Sequence, residues 1–231
     1  MFVHLHETID VVTGKLADYI SAIETVLMPL CDERKLRLSG FFQTAGSSGR
    51  WPEMIALWEL DIDDHLAQRR TIGSHPGMRE WMIRGAQLRR GGFDRMLLSH
   101  SFSPRPPVRP EFKAPGSVYL EQIFEVRPGA TARFLEVAET TLLPRSHEAE
   151  LAIEGFWRSE FQPLEHVALW SMPDWDAYGR LLGRRDPRDE ASNLPGLDAA
   201  WETLIGLRER ILIPLAVSPL GGGDQASTYP A

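Results

Sequence analysis

Residues 118–129 have the sequence VYLEQIFEVRPG, and residues 3–14 have the sequence VHLHETIDVVTG. The two stretches align at a spacing of 115 residues, which brings Gly14 onto Gly129. In both, apolar side chains occupy nearly every second position and a turn with glycine follows, which is typical of a β-strand with two different faces. This agreement predicts an internal duplication, and the extent of the repeat decides the fold.

The repeat extends along most of the chain. A spacing of 112 relates Ala56-Leu57-Trp58 to Ala168-Leu169-Trp170, because the first copy has a loop about three residues longer near residues 46–49. The spacing of 115 relates further pairs: Pro29 and Pro144, Gly40-Phe41 and Gly155-Phe156, Arg95 and Arg210, and Ser103-Pro104 and Ser218-Pro219.

Each copy has the periodicities of a β-α-β-β-α-β unit. We predict an α+β protein in which two tandem ferredoxin-like repeats pack sheet to sheet, because each sheet would otherwise expose an apolar face. The late prolines should kink or end their helices, and the last strands are expected at 95–103 and 210–218. The predicted divisions are a first repeat at 1–104, a proline-rich linker at 105–116, a second repeat at 117–219 and a disordered tail at 220–231.

Composition excludes several classes of protein. The formal net charge is −7 and there is no basic block, so a nucleic-acid partner is not expected. The pair Arg89-Arg90 is assigned to a solvated helix surface. The single cysteine, Cys31, excludes a disulfide framework and suits a reducing compartment. We find no secretory signal and no apolar run long enough for a membrane span, and we therefore expect a cytoplasmic protein without a membrane partner.

The second copy resembles the NIPSNAP family of the dimeric α/β-barrel superfamily. The resemblance rests on the strand 119–126 before Pro128-Gly129, on Gly155-Phe156-Trp157 and on Ala168-Leu169-Trp170 before an acidic helix start at Asp174. It implies a dimeric α/β barrel made within one chain. The superfamily includes cofactor-free monooxygenases, isomerases, lyases and haem-degrading enzymes, and it implies a substrate in the cavity between the two sheets.

The resemblance also suggests catalytic residues. Glu7 and Gln122 are the central polar residues on the otherwise apolar face of the first strand of each copy. Haem-degrading members have a polar catalytic residue at that place and a tryptophan at the places of Trp58 and Trp170. We therefore expect these four side chains on the cavity wall, with Glu7 as general acid or base. The alternatives are that Glu7 reaches solvent or pairs with an arginine, and that the tryptophans are core residues.

The opposite face of the first strand carries His4 and His6, and by polarity this face could equally line the cavity. Two histidines with no evident third ligand predict no metal site. His75 lies in a glycine-flanked loop that could act as a lid or supply a haem ligand. The remaining candidates for substrate binding are Trp157, Phe42, Phe124 and His100.

Three functions remain open. The first is a small-molecule enzyme without a tightly bound cofactor, acting on a hydrophobic or aromatic metabolite as an isomerase, lyase, cyclase or cofactor-free monooxygenase. The second is a haem-binding or haem-using protein of the same fold. The third is a non-catalytic ligand carrier or interaction protein. The chain is expected to be a monomer, as an internal pseudo-dimer, or a homodimer.

Overall fold

The fold is an eight-stranded closed barrel, seen in a computed structural model that describes residues 2–34, 36–47, 51–108, 118–184 and 195–221. Residues 109–116 of the predicted linker and 222–231 of the predicted tail lie outside this description. The first-half strands are β1 (Phe2–Val11), β2 (Arg37–Ser47), β3 (Glu53–Asp61) and β4 (Arg89–Ser99). The second-half strands are β5 (Val118–Val126), β6 (Ala152–Ser159), β7 (Glu165–Met172) and β8 (Leu204–Pro214).

Helices cover the outside of the barrel. The first half has α1 (Leu16–Ala22), a π-helical turn (Ile23–Leu27), α2 (Met28–Arg34), α3 (Ile62–Thr71), a 3-10 turn (Ile72–Ser74) and α4 (Pro76–Leu88). The second half has α5 (Thr131–Val137), a π-helical turn (Ala138–Leu142), α6 (Leu143–Arg145), a 3-10 turn (Ser146–Ala149), α7 (Trp175–Gly183) and α8 (Leu197–Trp201). No helix in the described ranges is long and apolar enough to cross a membrane.

The strand order around the barrel is β1-β3-β2-β8-β5-β7-β6-β4, so each half contributes four neighbouring strands. The two halves pair antiparallel at both edges, β2 with β8 and β4 with β6. The two halves thus form one closed barrel, as expected for a dimeric α/β barrel made within one chain, and the predicted sheet-to-sheet packing is corrected in one respect: the sheets also pair edge to edge. Edge pairing satisfies the backbone groups that two separate sheets would leave open, and this favours closure.

The two halves match in local detail. β1 shifts register against β4 between Asp10 and Val11, and β5 shifts against β8 between Glu125 and Val126. Each first helix contains a π-helical turn at the same place. The expectation that Pro29 would kink or end its helix is not met in full, since α2 continues to Arg34. The π-helical turn just before it changes the hydrogen-bond pattern where proline has no N–H to donate.

The last strands begin about six residues earlier than predicted. Residues 89–94 have no apolar alternation, yet they pair with β1. Gly92 has φ +150°, and a Cβ atom there would lie 2.1 Å from the Thr8 carbonyl oxygen, so only glycine allows this approach. Arg89 is consequently a strand residue, and its assignment to a solvated helix surface was wrong.

The barrel interior is filled with side chains. Residues from both halves form one buried cluster there: Phe42, Ile55, Leu57, Leu97, Tyr119, Ile123, Trp157, Val167, Leu169, Leu212 and Leu220. Leu220 is fully buried, so the predicted disordered tail does not begin at residue 220. Two further clusters lie between the strands and the helices of each half. We predicted a substrate cavity between the sheets, but in the described part of the chain this space is filled by the side chains of the interior cluster.

Candidate functional site

A cavity of about 440 Å³ lies between the strands and helices of the first half. Its volume falls in the range of small-molecule sites. The wall is mainly apolar and aromatic, with the polar side chains of Glu7, Thr8, Tyr19, Arg34, Trp58, His65, Trp81, Arg89 and Asp94 among the lining residues. It lies on the outer face of β1, because Glu7 shares that face with Leu5 and Ile9.

Glu7 and Trp58 form the central contact of this wall. Leu5 is directly opposite Trp58 in the ladder between β1 and β3, which brings the indole beside Glu7. The Trp58 Nε1–H donates a hydrogen bond of 2.6 Å to Glu7 Oε2. A hydrogen bond to a carboxylate is shorter and stronger than one between neutral groups, so Trp58 fixes the orientation of the carboxyl group.

Tyr19 and Arg89 form a second polar pair on the same wall. Tyr19 is buried on α1, and its hydroxyl lies beside the side chain of Arg89 on β4, which lines the same cavity. Burial raises the pKa of Tyr19, so the hydroxyl keeps its proton near neutral pH. The Trp81 ring lies beside the tyrosine with centroids 6.0 Å apart. The cavity thus joins a carboxyl group, a phenol and a guanidinium within aromatic walls.

The second half repeats the framework without this polar set. Trp170 Nε1–H donates to Gln122 Oε1 over 2.9 Å, and both side chains are fully buried. Phe134 stands at the place of Tyr19 and Leu204 at that of Arg89. The rings of Phe134, Phe124 and Phe156 pack within about 6 Å of one another. The structure thus places Gln122, Trp170 and Phe124 in a packed core, away from the first-half cavity.

The inner face of β1 belongs to a buried ionic network. His6 Nε2–H donates to Glu121 Oε1 over 2.5 Å, and these two residues occupy equivalent places in the two halves. Arg95 binds Glu165 over 2.6 Å, and Arg210 lies 3.7 Å from the equivalent carboxylate of Glu53. Burial alone would raise the pKa of Glu121, but His6 and Arg210 lower it to about 2. This network fills the space where a ligand between the sheets was expected.

Other predicted site residues also lie away from the cavity. Phe42 and Trp157 belong to the interior cluster, and the ring of His4 lies 5.5 Å from that of Trp157. Burial lowers the pKa of His4 to about 4, so its ring is neutral at pH 7. Within the described ranges, no group of three or more His, Cys, Asp or Glu side chains could hold a metal ion.

The two candidate histidines have local contacts of their own. His75 caps α4, where Nδ1 accepts the Met78 N–H over 3.3 Å and Nε2–H donates to Glu33 over 3.2 Å. His100 shares a hydrogen bond of 3.1 Å with His166 in the second half. Neither His75 nor His100 lines the cavity.

Sequence reasoning missed Tyr19, His65 and Arg89 as cavity residues. A comparison of the two halves could have found two of them, because Tyr19 and Arg89 are polar where Phe134 and Leu204 are apolar. Polar residues present in one half alone are candidates for a role other than folding. His65 has no such signal, because its helix is polar along its length.

The closed barrel with a helix layer on each half is the dimeric α/β-barrel fold. A protein from Fusobacterium nucleatum, provisionally named a monooxygenase, matches with a TM-score of 0.67 and 14% identity over 96% of this chain and 95% of that chain. An anthrone oxidase-like protein matches with a TM-score of 0.55 and 9% identity over 93% of this chain and 91% of that chain. These structures confirm the fold that the sequence resemblance predicted.

NIPSNAP proteins are also among the structural matches. A NIPSNAP-like domain protein from Burkholderia xenovorans covers 48% of this chain and 97% of its own, with 23% identity and a TM-score of 0.42. No protein-family model matches the chain, and no curated protein gives a significant match.

Proposed function

We propose that the protein is a small-molecule enzyme whose active site is the first-half cavity, with Glu7 as general acid or base. The observation that supports this is the Glu7 carboxyl group, oriented by Trp58 on the wall of a largely apolar cavity. A fixed carboxyl group within reach of a bound substrate is suited to proton transfer. The aromatic side chains of Trp58, Trp81 and Phe41 suit a flat, apolar substrate.

Cofactor-free oxygenation is the reaction class we favour. Glu7 removes a proton from an acidic carbon next to an aromatic system, and the resulting carbanion transfers electrons to molecular oxygen. With anthrone, the methylene carbon becomes a carbonyl: anthrone and one O₂ give anthraquinone and one water. One oxygen atom enters the product, and the other leaves as water with the two protons lost from the carbon. The fold of the anthrone oxidase-like protein supports this choice of probe.

We also infer that the two halves are tandem copies of a ferredoxin-like unit, of which the first became the catalytic half. The same register shifts and π-helical turns recur in both copies. Gln122, Phe134 and Leu204 replace the three polar groups of the first half and lie in packed core. The second half then serves to close the barrel and support the first.

The test is oxygen uptake and anthraquinone formation with anthrone as the substrate. Glu7→Gln keeps the shape and the acceptor for Trp58 but removes the base, and it should lower the rate at least about 100-fold, since general acid–base catalysis contributes roughly 10²–10⁴. Glu136→Gln, on the exposed face of α5, is the matched control and should turn over normally. Equal rates for wild type and Glu7→Gln would show that Glu7 is not the catalytic acid or base. An absence of oxygen uptake by wild type would show that anthrone oxygenation is not its reaction.

Haem binding is the second candidate, favoured by one observation. His65 lines the same cavity as Glu7 and Trp58, and an imidazole is a common axial ligand of haem iron, which would supply oxygen chemistry when bound. Titration with haem should give a Soret band that His65→Ala shifts or abolishes. A spectrum identical to that of free haem at excess protein would reject this candidate.

A further inference from the structure

Arg89 differs from Arg95 and Arg210, the buried arginines of the barrel, in its charged partners. Arg95 and Arg210 both contact carboxylates, Glu165 and Glu121 among them. Arg89 is partly buried and lines the first-half cavity, yet it forms no ion pair with a carboxylate of the described ranges. A guanidinium that is partly removed from water and lacks an anionic partner is a ready binding site for an anion.

Tyr19 and the end of α4 flank the Arg89 guanidinium at the cavity wall. The tyrosine hydroxyl lies beside the guanidinium on the same cavity wall, and the Arg89 backbone N–H donates to the Gly85 carbonyl at the end of α4. A Cβ atom on Gly85 would lie at an ordinary contact distance of 3.7 Å from the guanidinium nitrogens of Arg89, so the guanidinium lies against α4 at this residue. Arg89 has five N–H donors, and its contact with Tyr19 leaves most of them for a ligand.

The second half shows that this pair is not needed for folding. Phe134 and Leu204 occupy the equivalent places and are both buried in an ordinary apolar core. The equivalent strand positions have the same register, Val11 with Arg89 and Val126 with Leu204. The framework therefore accepts apolar side chains there, and the polar pair of the first half has a different purpose.

We propose that Arg89 and Tyr19 bind a negatively charged oxygen of the substrate, which is then an apolar ring compound with an acidic oxygen group. The charge is either permanent, as in a carboxylate, or develops on a carbonyl oxygen when the adjacent carbon loses its proton to Glu7. This inference rests on the proposed location of the active site in the first-half cavity. Two preorganised donors at a developing charge stabilise the transition state more than the ground state.

Binding of two naphthalene probes tests the proposal without turnover. 1-Naphthoate carries the acidic group, and 1-methylnaphthalene has a similar shape without charge. Calorimetry should show naphthoate binding at least tenfold more tightly to wild type. Arg89→Met should remove that preference and leave the affinity for 1-methylnaphthalene unchanged. Arg90→Met is the matched control, because Arg90 is exposed on the same strand and donates to Thr13 over 2.6 Å.

Two further variants complete the test. Tyr19→Phe should weaken naphthoate binding by a smaller factor, and Arg89→Lys should keep part of the preference if Arg89→Met does not fold. Equal affinity of wild type for both probes, or equal behaviour of Arg89→Met and Arg90→Met, would overturn the proposal. Glu7→Gln should still bind naphthoate. If it binds normally but wild type oxidises no anthrone, the proposed reaction fails and the anion site stands.

Discussion

At the scale of single residues, the contact between Trp58 and Glu7 defines the candidate site. The indole N–H orients the carboxyl group over 2.6 Å, and both side chains border the cavity. The equivalent pair of the second half, Trp170 and Gln122, has the same geometry over 2.9 Å but is fully buried. The chain thus contains its own control for the contribution of this hydrogen bond.

Trp58→Phe should reduce kcat/KM for anthrone oxidation about tenfold or more. The phenylalanine ring keeps most of the packing, but the carboxylate loses a hydrogen bond, and such bonds to charged groups contribute roughly 1.5–3 kcal/mol. Trp170→Phe should leave kcat/KM unchanged while it lowers thermal stability. A similar loss of activity in both variants would mean that Trp58 acts through the stability of the fold.

The sequence pattern identified Glu7 and Trp58 as cavity residues, but it placed the cavity between the two sheets and not between the first-half sheet and its helices. Strand alternation puts Glu7 on the same face as Val3, Leu5 and Ile9, and the structure agrees on this face. The alternation of side chains along a strand separates its two faces, but it does not show which face the helices cover. Both faces of a strand in a helix-covered barrel are buried, so polarity alone could not separate them.

At the scale of secondary-structure elements, the position of β4 decides whether Arg89 reaches the cavity. Gly92 pairs with Ile9 of β1 at a φ of +150°, and the backbone approach leaves no room for a Cβ atom. Gly92→Ala should therefore destabilise the protein by roughly 3 kcal/mol. It should also weaken naphthoate binding, because β4 and with it Arg89 must move away from β1.

Gly179→Ala in α7 is the matched control for this substitution. A Cβ atom at Gly179 meets nothing within 4 Å, and alanine is favoured over glycine in a helix by roughly 0.5–1 kcal/mol. This variant should raise the melting temperature and leave naphthoate binding unchanged. Gly92→Ala with wild-type stability would contradict the close packing of β4 on β1.

At the scale of the whole molecule, buried charges join the two halves through the centre of the barrel. His6 of the first half donates to Glu121 of the second, and Arg95 of the first half binds Glu165 of the second. Because the partners of these two pairs come from different halves, the network is complete only when the barrel is closed. Removal of one member leaves another charge buried without its partner, and this is costly in the protein interior.

The network predicts a pH dependence of stability. The pKa of Glu121 is about 2 in the folded protein, below its ordinary value of 4.5: burial acts to raise it, but His6, Arg210 and Arg95 surround the carboxylate and outweigh burial. The lowered pKa means that the stabilisation is fully present above pH 4.5 and is lost as the pH falls toward 2. Urea unfolding of wild type across this interval should show a steep fall in the free energy of unfolding.

Glu121→Gln should flatten that dependence and cost about 3–5 kcal/mol at neutral pH, as breaking a buried ion pair does. Glu136→Gln removes one carboxylate from an exposed pair with Arg133 and should change stability by less than about 1 kcal/mol. If the free energy of unfolding of Glu121→Gln still fell between pH 4.5 and 2 as steeply as that of wild type, other carboxylates would govern acid unfolding.

Sequence by itself determined the α+β class and the order of elements in each half, and it predicted the duplication, because periodicity and turn residues are local signals that recur at a fixed spacing. It also identified the pair of Glu7 and Trp58. Only the tertiary structure decided that the sheets join edge to edge, that ionic and aromatic side chains fill the barrel, and that the cavity lies under the first-half helices. These three features depend on contacts between segments that are distant in the sequence, such as Tyr19 and Arg89, and local periodicity does not reveal such contacts.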